Sequence, residues 1–261
     1  MRYIVDHDYH IHSQLSLCSD DPQQTKQALL QYATDNGFKK IVVTDHFWDE
    51  SIPNEPCWYT VQNYAHVAQI LPLPQGAGTA FKFGCETDIS VDGVLGISKE
   101  TAEKFDFVII PTTHLHMPGF ENKNLEERKE LYISRFRMLF DLDLPFKKVG
   151  IAHLTCPLIA GYERKNHIAI IDMVSDNEYR ELFTGAQKKG MGIELNMPIF
   201  QYTDEQLEHI LRPYRIAKDC GCKFYLGSDA HHPAELAEAK KKFERIVDLL
   251  DLEESDKFDF E

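Results

Sequence analysis

The stretch "DYHIHS", residues 8–13, follows a short β-like opening, "YIVDHDY" at 3–9. Successive side chains of a strand alternate between faces, so Asp8, His10 and His12 share one face while His7, Tyr9 and Ile11 share the other. Two imidazoles on one face of a strand end are what a metal ion takes from a strand. Alone, the pair reads more readily as a chance pair of core or surface histidines. The other strands have to decide.

Short β-type runs at 3–8, 40–44, 80–85, 106–111, 148–152, 191–195 and 222–227 alternate with amphipathic helical patterns. That alternation predicts a parallel sheet. Seven such units predict a closed barrel of the (β/α)7 TIM-like type, the open doubly wound sheet being the alternative. In "DPQQTKQALLQYATDNG", Asp21 is the expected cap and Pro22 the first helical residue; Leu29, Leu30, Tyr32 and Ala33 face inward and Gly37 ends the helix. Thr203 and Gln206 form a capping-box pair, and Pro213 is expected to kink or break that helix. Gly190 follows a further helix, "SDNEYRELFTGAQKK".

Ionisable residues fall where these strands end. The first run leads to His10 and His12, the second to Asp45 and His46, and the third to Glu86. The fourth leads to His114 and His116, the fifth to His153, the sixth to Glu194 and Asn196, and the seventh to Asp229 and His231. Parallel barrels place their chemistry at the C-terminal strand ends, where the βα loops converge. All seven ends carry such groups, which makes coincidence a poor explanation.

Composition narrows the classes. A 261-residue chain that is 43% hydrophobic can bury a large core, and 1–252 reads as one domain followed by an acidic tail, 253–261. The tail, "EESDKFDFE", is expected to fray, although its two phenylalanines leave docking open. No apolar run approaches the ~20 residues of a membrane span, and the start lacks a signal-peptide core, so a cytoplasmic setting is expected. Six cysteines without regular spacing read as reduced thiols, "CGC" at 220–222 included. The net charge of −14 opposes binding to long nucleic acid, and "KKK" at 240–242 reads as a solvated helix face.

Imidazole nitrogens mixed with carboxylate oxygens suit Zn, Mn or Fe, whereas calcium takes nearly all oxygen. The donors outnumber the four that a tetrahedral zinc accepts, so two to three divalent ions are expected, with a carboxylate such as Glu86 shared between mutually repelling cations. Such centres hydrolyse: they make hydroxide available near neutral pH and stabilise both attacking and leaving oxygens. "PQGAGTAF" at 74–81 precedes a strand and reads as a turn, not a phosphate loop.

From "DYHIHS" to "GSDAHH", in order and over nearly the whole chain, these motifs resemble the polymerase and histidinol phosphatase (PHP) superfamily. The resemblance implies a distorted (β/α)7 barrel with three metal ions at the strand ends. It assigns His10, His12, Glu86 and Asp229 to the first ion and Glu86, His114 and His153 to the second. His46, His231 and the residue eight positions beyond His10 go to the third. That residue is Cys18, where phosphoesterase members of this kind usually carry His. "LSLCSDD" also looks like a subgroup with Cys there, and Asp20 is the alternative ligand. Thiolate suits Zn or Fe and is a poor ligand for Mn or Mg.

Around this set, Asp8 and Asp45 are expected to orient ligand imidazoles through their second ring nitrogen. Arg164 is a candidate for holding an anionic group, and His116 a loop histidine near substrate or simply at the surface. Glu194 and Asn196 either reach the pocket or, the commoner outcome for such a carboxylate, bond a neighbouring helix end. His232 reads as a capping or surface residue before Pro233, and His7, His66, His167 and His209 as structural or exposed. The expected activity is metal-dependent hydrolysis of a small phosphate monoester resembling histidinol phosphate, with Glu86 and Asp229 in the catalytic roles. Asp229 and a pocket histidine are both candidates for protonating the leaving alkoxide. The alternatives are a nuclease or nucleotide phosphodiesterase with the same centre, an amidohydrolase, or a degenerate metal-binding regulatory module. Oligomeric state is not legible.

Overall fold

The computed structural model describes residues 1–19, 21–76 and 78–260. Its strands are β1 (His7–Ile11), β2 (Lys40–Val43), β3 (His46–Phe47), β4 (Ala80–Thr87), β5 (Phe107–Pro111), β6 (Val149–Ala152), β7 (Gly192–Leu195) and β8 (Lys223–Leu226). β2 and β3 are successive pieces of one position, both parallel to β4. The order β1-β2-β4-β5-β6-β7-β8 therefore makes seven barrel positions. A parallel bridge from Ile11 to Ala230 closes the ring, with the Asp229 amide donating to the His10 carbonyl at 2.8 Å. This is the nearly closed, helix-wrapped barrel that the strand–helix alternation predicts.

The longer helices are α1 (Lys26–Asn36), α2 (Leu125–Met138), α3 (His167–Met173), α4 (Asp176–Lys189), α5 (Asp204–Asp219) and α6 (Ala239–Leu249). α1 starts later than Asp21 and Pro22 suggest. Thr25 is its cap, accepting from the Ala28 amide, while Asp21 closes a local turn onto the Gln23 amide. Gly37, at φ 66°, ends it as expected. The Thr203–Gln206 capping box forms, and α5 runs on unbroken past Pro213. Burial of Ile210, Leu211, Tyr214 and Ala217 on either side offsets the missing hydrogen bond.

Two expectations about the surface are corrected. Over its described residues, 253–260, the tail does not fray: Phe258 and Phe260 are each 5% exposed and pack with Tyr9, Phe107 and Tyr225 inside the N-terminal end of the barrel. Glycines make the room. A Cβ on Gly150 would lie 2.5 Å from the Tyr225 hydroxyl, and one on Gly192 2.8 Å from the Phe258 ring. Nor is 240–242 wholly a solvated face. Lys240 donates to the Asn36 carbonyl and Lys242 reaches Asn196 Oδ1 at 3.4 Å, leaving only Lys241 well exposed.

The six cysteines are free, with Cys222 buried just before β8. No described helix is long and apolar enough to cross a membrane.

Candidate metal centre

β1 carries a two-residue irregularity that decides which side chains reach the centre. Asp8 pairs with Ile41 and Ile11 with Val43, so Tyr9 and His10 stand against Val42 alone. The bulge breaks simple alternation. Tyr9 packs in the barrel interior and His10 faces inward above it, whereas Asp8 turns towards α1 and accepts from Tyr32 Oη at 2.9 Å. Asp8 also accepts from the Ser228 and His10 amides. It organises backbone and orients no imidazole, contrary to the expectation from strict alternation.

Three sets of donors result, each with ligand atoms within 4.8 Å of one another: His10, His12, Glu86 and Asp229; Glu86, His114 and His153; and His12, His46 and His231. The structure thus brings together the first two sets implied by the family resemblance and joins His46 and His231 through His12. Cys18 is exposed and lines the same cleft, outside these three sets. Asp20 lies outside the described residues. His153 and Asp229 adopt φ of 27° and 55°, unusual for side-chain-bearing residues, just where β6 and β8 end. Strain at two of the clustered residues is consistent with a functional constraint.

Five of the six imidazoles in these sets are held through Nδ1. His10 Nδ1 lies 2.6 Å from Glu194 Oε1, and His114 Nδ1 lies 2.7 Å from Asp88 Oδ2. His153 Nδ1 meets Thr113 Oγ1 at 3.0 Å, and His231 Nδ1 donates to the Asp229 carbonyl at 2.8 Å. His12 Nδ1 donates to Ser16 Oγ at 2.8 Å, and that hydroxyl donates onward to Asp45. Asp45 therefore acts on His12 one hydroxyl removed, where a direct bond had been expected.

Glu194 is the larger surprise: it bonds no helix end but lies inside the barrel, fixing His10 and accepting from the His153 amide at 2.6 Å. Gly227 is required beside it, since a Cβ there would overlap Glu194 Oε1. Asp88 was missed altogether, although it stands two residues beyond Glu86 and so on the same side of the chain. A lone carboxylate in the apolar run "MGIEL" was the corresponding signal for Glu194.

These bonds give the donors their chemistry. With Nδ1 of His10 and His12 committed to these partners, Nε2 is the nitrogen left to bind a cation in the neutral ring, and the two Nε2 atoms face each other at 3.1 Å. Glu86 Oε2 lies 3.5 and 3.4 Å from them, and Asp229 Oδ1 3.3 and 3.1 Å. Buried acceptors in mutual contact need a cation between them. Burial disfavours the charged form of His10, yet Glu194, Asp229 and Glu86 outweigh it and hold His10 well above its ordinary pKa. Burial also lowers His12, and its contacts with Asp229 and Glu86 outweigh that and raise it to about 9. Burial also works against charge on Glu86, and the surrounding imidazoles overcome it, holding the carboxyl well below its usual range. The residues fit a group of divalent cations, with imidazole and carboxylate donors of the kind that Zn, Mn and Fe take.

The cleft above them has a volume of about 310 Å³ and is walled by Trp58, His116, Met117, Leu158 and Arg164 besides the donors. Trp58 stands edge-on to His46 at 4.9 Å. His116 is half-buried, its Nδ1 without a hydrogen-bond partner, and burial followed by the neighbouring His114 lowers it to about 4. Arg164 is exposed at the mouth. The remaining histidines are structural: His7 meets Tyr3 Oη and accepts from the Leu226 amide, His66 meets the Leu15 carbonyl, His167 joins the Arg164 carbonyl to Tyr202, and His209 pairs with Asp172 at the surface.

The family model for the PHP domain matches residues 8–198. No curated protein sequence matches the chain. Among solved structures, a histidinol phosphate phosphatase from Lactococcus lactis subsp. lactis Il1403, complexed with Zn, L-histidinol and phosphate, is similar in fold. Its TM-score is 0.59 at 18% identity, over 97% of this chain and 98% of that one. A probable 2-pyrone-4,6-dicarboxylic acid hydrolase from Acinetobacter baumannii gives a TM-score of 0.48 at 16% identity, over 94% and 92% of the two chains.

Proposed function

Since the chain belongs to the PHP domain family and so to the metal-dependent hydrolases, we propose that it is a phosphatase acting on a small phosphate monoester. The observation that carries this reading is Glu86, a buried carboxylate whose two oxygens face different donor sets: Oε1 meets His153 at 3.3 Å and Oε2 meets His46 at 3.1 Å. One carboxylate shared in this way suits two cations side by side. Divalent ions held there would supply charge neutralisation for a phosphoryl group and activate water for attack.

The chain's own groups do the rest. Glu194, Ser16, Asp88 and Thr113 lock the imidazoles in one tautomer, so no reorganisation is needed when substrate arrives. Asp229 directs Oδ1 at His10 and His12, and we place its other oxygen against the attacking water. Protonation of the leaving alkoxide falls to Asp229 or a pocket histidine. Arg164 and His116, on the cleft wall away from β1, hold the substrate's anionic and polar groups. The 310 Å³ cleft admits a small ester and excludes a folded polymer. Histidinol phosphate is the first substrate to test, given the ligands of the Lactococcus lactis structure.

Following the family resemblance, we place a third cation at His46 and His231, with Cys18 completing its shell from the cleft wall. Elemental analysis of Cys18→Ser beside Cys57→Ser tests it: the first loses metal and the second does not. An unchanged count removes the thiol from the centre. The function itself is tested by assaying metal-replete protein on phosphate mono- and diesters. Monoester turnover abolished by chelation is the expected result. Cleavage of diesters alone would make it a nuclease or phosphodiesterase, and inertness with more than one ion bound would make it a regulatory module.

A further inference from the structure

Helix α2 carries two arginines, Arg128 and Arg135, one heptad apart and 4% and 3% exposed. Arginine at this depth ordinarily faces a carboxylate. Neither of these forms an ion pair among the described residues; their partners are backbone carbonyls of the loops that build the cleft. Arg135 donates through Nη1 to the His114 carbonyl at 3.1 Å and through Nη2 to the carbonyls of Ile89 and Ser90 at 2.6 and 3.3 Å. It therefore ties the segment just beyond Glu86 and Asp88 to the segment carrying His114.

Arg128 makes the corresponding bonds one step further around the barrel. Nε donates to the Lys123 carbonyl at 3.0 Å, Nη1 to Leu115 and Ile159 at 2.7 and 3.4 Å, and Nη2 to Phe120 at 2.7 Å. It joins the loop bearing His116 to the loop that leads to Arg164. Two further contacts show a built arrangement. The Arg135 guanidinium stacks on the Phe120 ring at 4.8 Å, while the carbonyl of the same Phe120 serves Arg128. Gly161, at φ 62°, leaves the space that Arg128 fills, since a Cβ there would lie 2.8 Å from Nη2.

We propose that Arg135 and Arg128 are positioning residues with separate charges: Arg135 sets the spacing of Glu86 and of His114, with Asp88 behind it, for the cation that Glu86, His114 and His153 would hold, and Arg128 sets the loops of His116 and Arg164 for the substrate's anion. A planar fork with five donors can hold three carbonyls from two loops at once, which a lysine ammonium on a flexible stem cannot do in the same geometry. The division rests on the proposed function only for the nature of the anion.

The test compares Arg135→Lys, Arg128→Lys and Arg137→Lys in the full chain, the last being an exposed partner of Glu181 on the same helix and serving as control. Zinc affinity is measured by competition with a chromophoric chelator, inorganic phosphate binding by calorimetry at saturating zinc, and KM and kcat on the best monoester. Arg135→Lys should weaken zinc about tenfold or more, the range for residues that orient ligands, and leave phosphate binding within about twofold once zinc saturates. Arg128→Lys should leave zinc affinity within about twofold and raise KM and the phosphate dissociation constant about tenfold, with kcat little changed. Phe120→Leu and Gly161→Ala, which disturb each guanidinium while keeping its charge, should give weaker forms of the Arg135 and Arg128 patterns respectively.

If both arginine variants lower the melting temperature yet match Arg137→Lys in zinc and phosphate binding, the arginines merely support the fold and the proposal is wrong. A crossed pattern overturns the division. Should the wild type bind zinc but turn over no phosphate ester, the proposed function fails, while the zinc and phosphate measurements still decide the roles of the two arginines.

Discussion

The two ends of the barrel are built from the same strands and have opposite chemistry. β1 gives Tyr9 to the N-terminal end and His10 to the centre; β5 gives Phe107 to the one and leads to His114 at the other; β8 gives Tyr225 and leads to Asp229. At the N-terminal end the interior is aromatic and carries little polarity: the Tyr9 hydroxyl donates to Asp259 at 3.1 Å, and the Tyr225 hydroxyl is buried without a partner among the described residues. The Phe107 and Phe260 rings stack at 4.7 Å, and Tyr9 meets Phe260 edge-on at 5.1 Å. At the C-terminal end imidazoles and carboxylates are aimed at one another, in three sets that could hold metal ions. Size does not separate the two: a groove of about 630 Å³ opens beside Phe260, twice the volume of the cleft over Glu86, and among the described residues no set of metal donors lines it. Clustered imidazoles and carboxylates, not volume, locate the chemistry.

The comparison implies that damage at one end should cost activity and damage at the other should cost stability. The largest effect is expected for Glu86→Gln, which keeps the shape and removes the shared charge. Turnover on phosphate monoesters should fall on the order of 10³-fold, about 4 kcal/mol in transition-state terms, with metal per chain falling too. Normal turnover at saturating metal would mean that Glu86 is not shared between cations. Next comes Phe258→Ala at the opposite end, expected to lower stability by about 3 kcal/mol and the melting temperature by roughly 6–12 °C. KM and kcat at 25 °C should be unchanged. A variant as stable as wild type would return the tail to the frayed state that its acidic composition suggests.

How far the sequence could be read differs between the ends for physical reasons. His10, His12, His46, Glu86, His114, His153, Asp229 and His231 were legible because parallel strands deliver residues to one rim at fixed offsets from apolar runs. Asp8 was misplaced because a bulge adds a residue that a period of two cannot register. Glu194 was misjudged because the bond that matters, to His10, spans 184 positions of the chain. The tail escaped for a similar reason. Its acids dominate any local window, while the space for Phe258 is set by Gly192 and Tyr225 on distant strands.

A smaller effect should follow from Glu194→Gln, which tests whether the imidazole tautomer matters. The carboxylate can only accept from His10 Nδ1, whereas an amide can also present a donor and let His10 turn or change tautomer. Zinc affinity should drop ten- to a hundredfold, about 1.4–2.7 kcal/mol, with little change in the melting temperature of metal-free protein. An unaltered affinity would show that the second ring nitrogen needs no charged partner here. The two ends would then differ less than the geometry indicates.

The smallest effect lies at the N-terminal end and is visible only in acid. Asp6 accepts from His7 Nδ1 at 3.3 Å and from Lys257 Nζ at 3.1 Å, tying β1 to the tail. Burial raises its pKa, but the bonds to His7 and Lys257 outweigh that and bring it down from 3.8 to about 2. A carboxyl depressed in the folded state contributes stability that is complete above its unfolded pKa and drains away as pH falls through the folded one. The Asp6 contribution should therefore be whole at pH 5 to 7 and disappear between about pH 4 and pH 2. Because the group is partly exposed and screened, its size should stay below about 1 kcal/mol. Urea midpoints of metal-free wild type and Asp6→Asn should differ most near pH 6 and converge as pH approaches 2. A gap of constant size would mean that Asp6 holds the tail as a neutral acceptor, and that charge at this end of the barrel carries no stability.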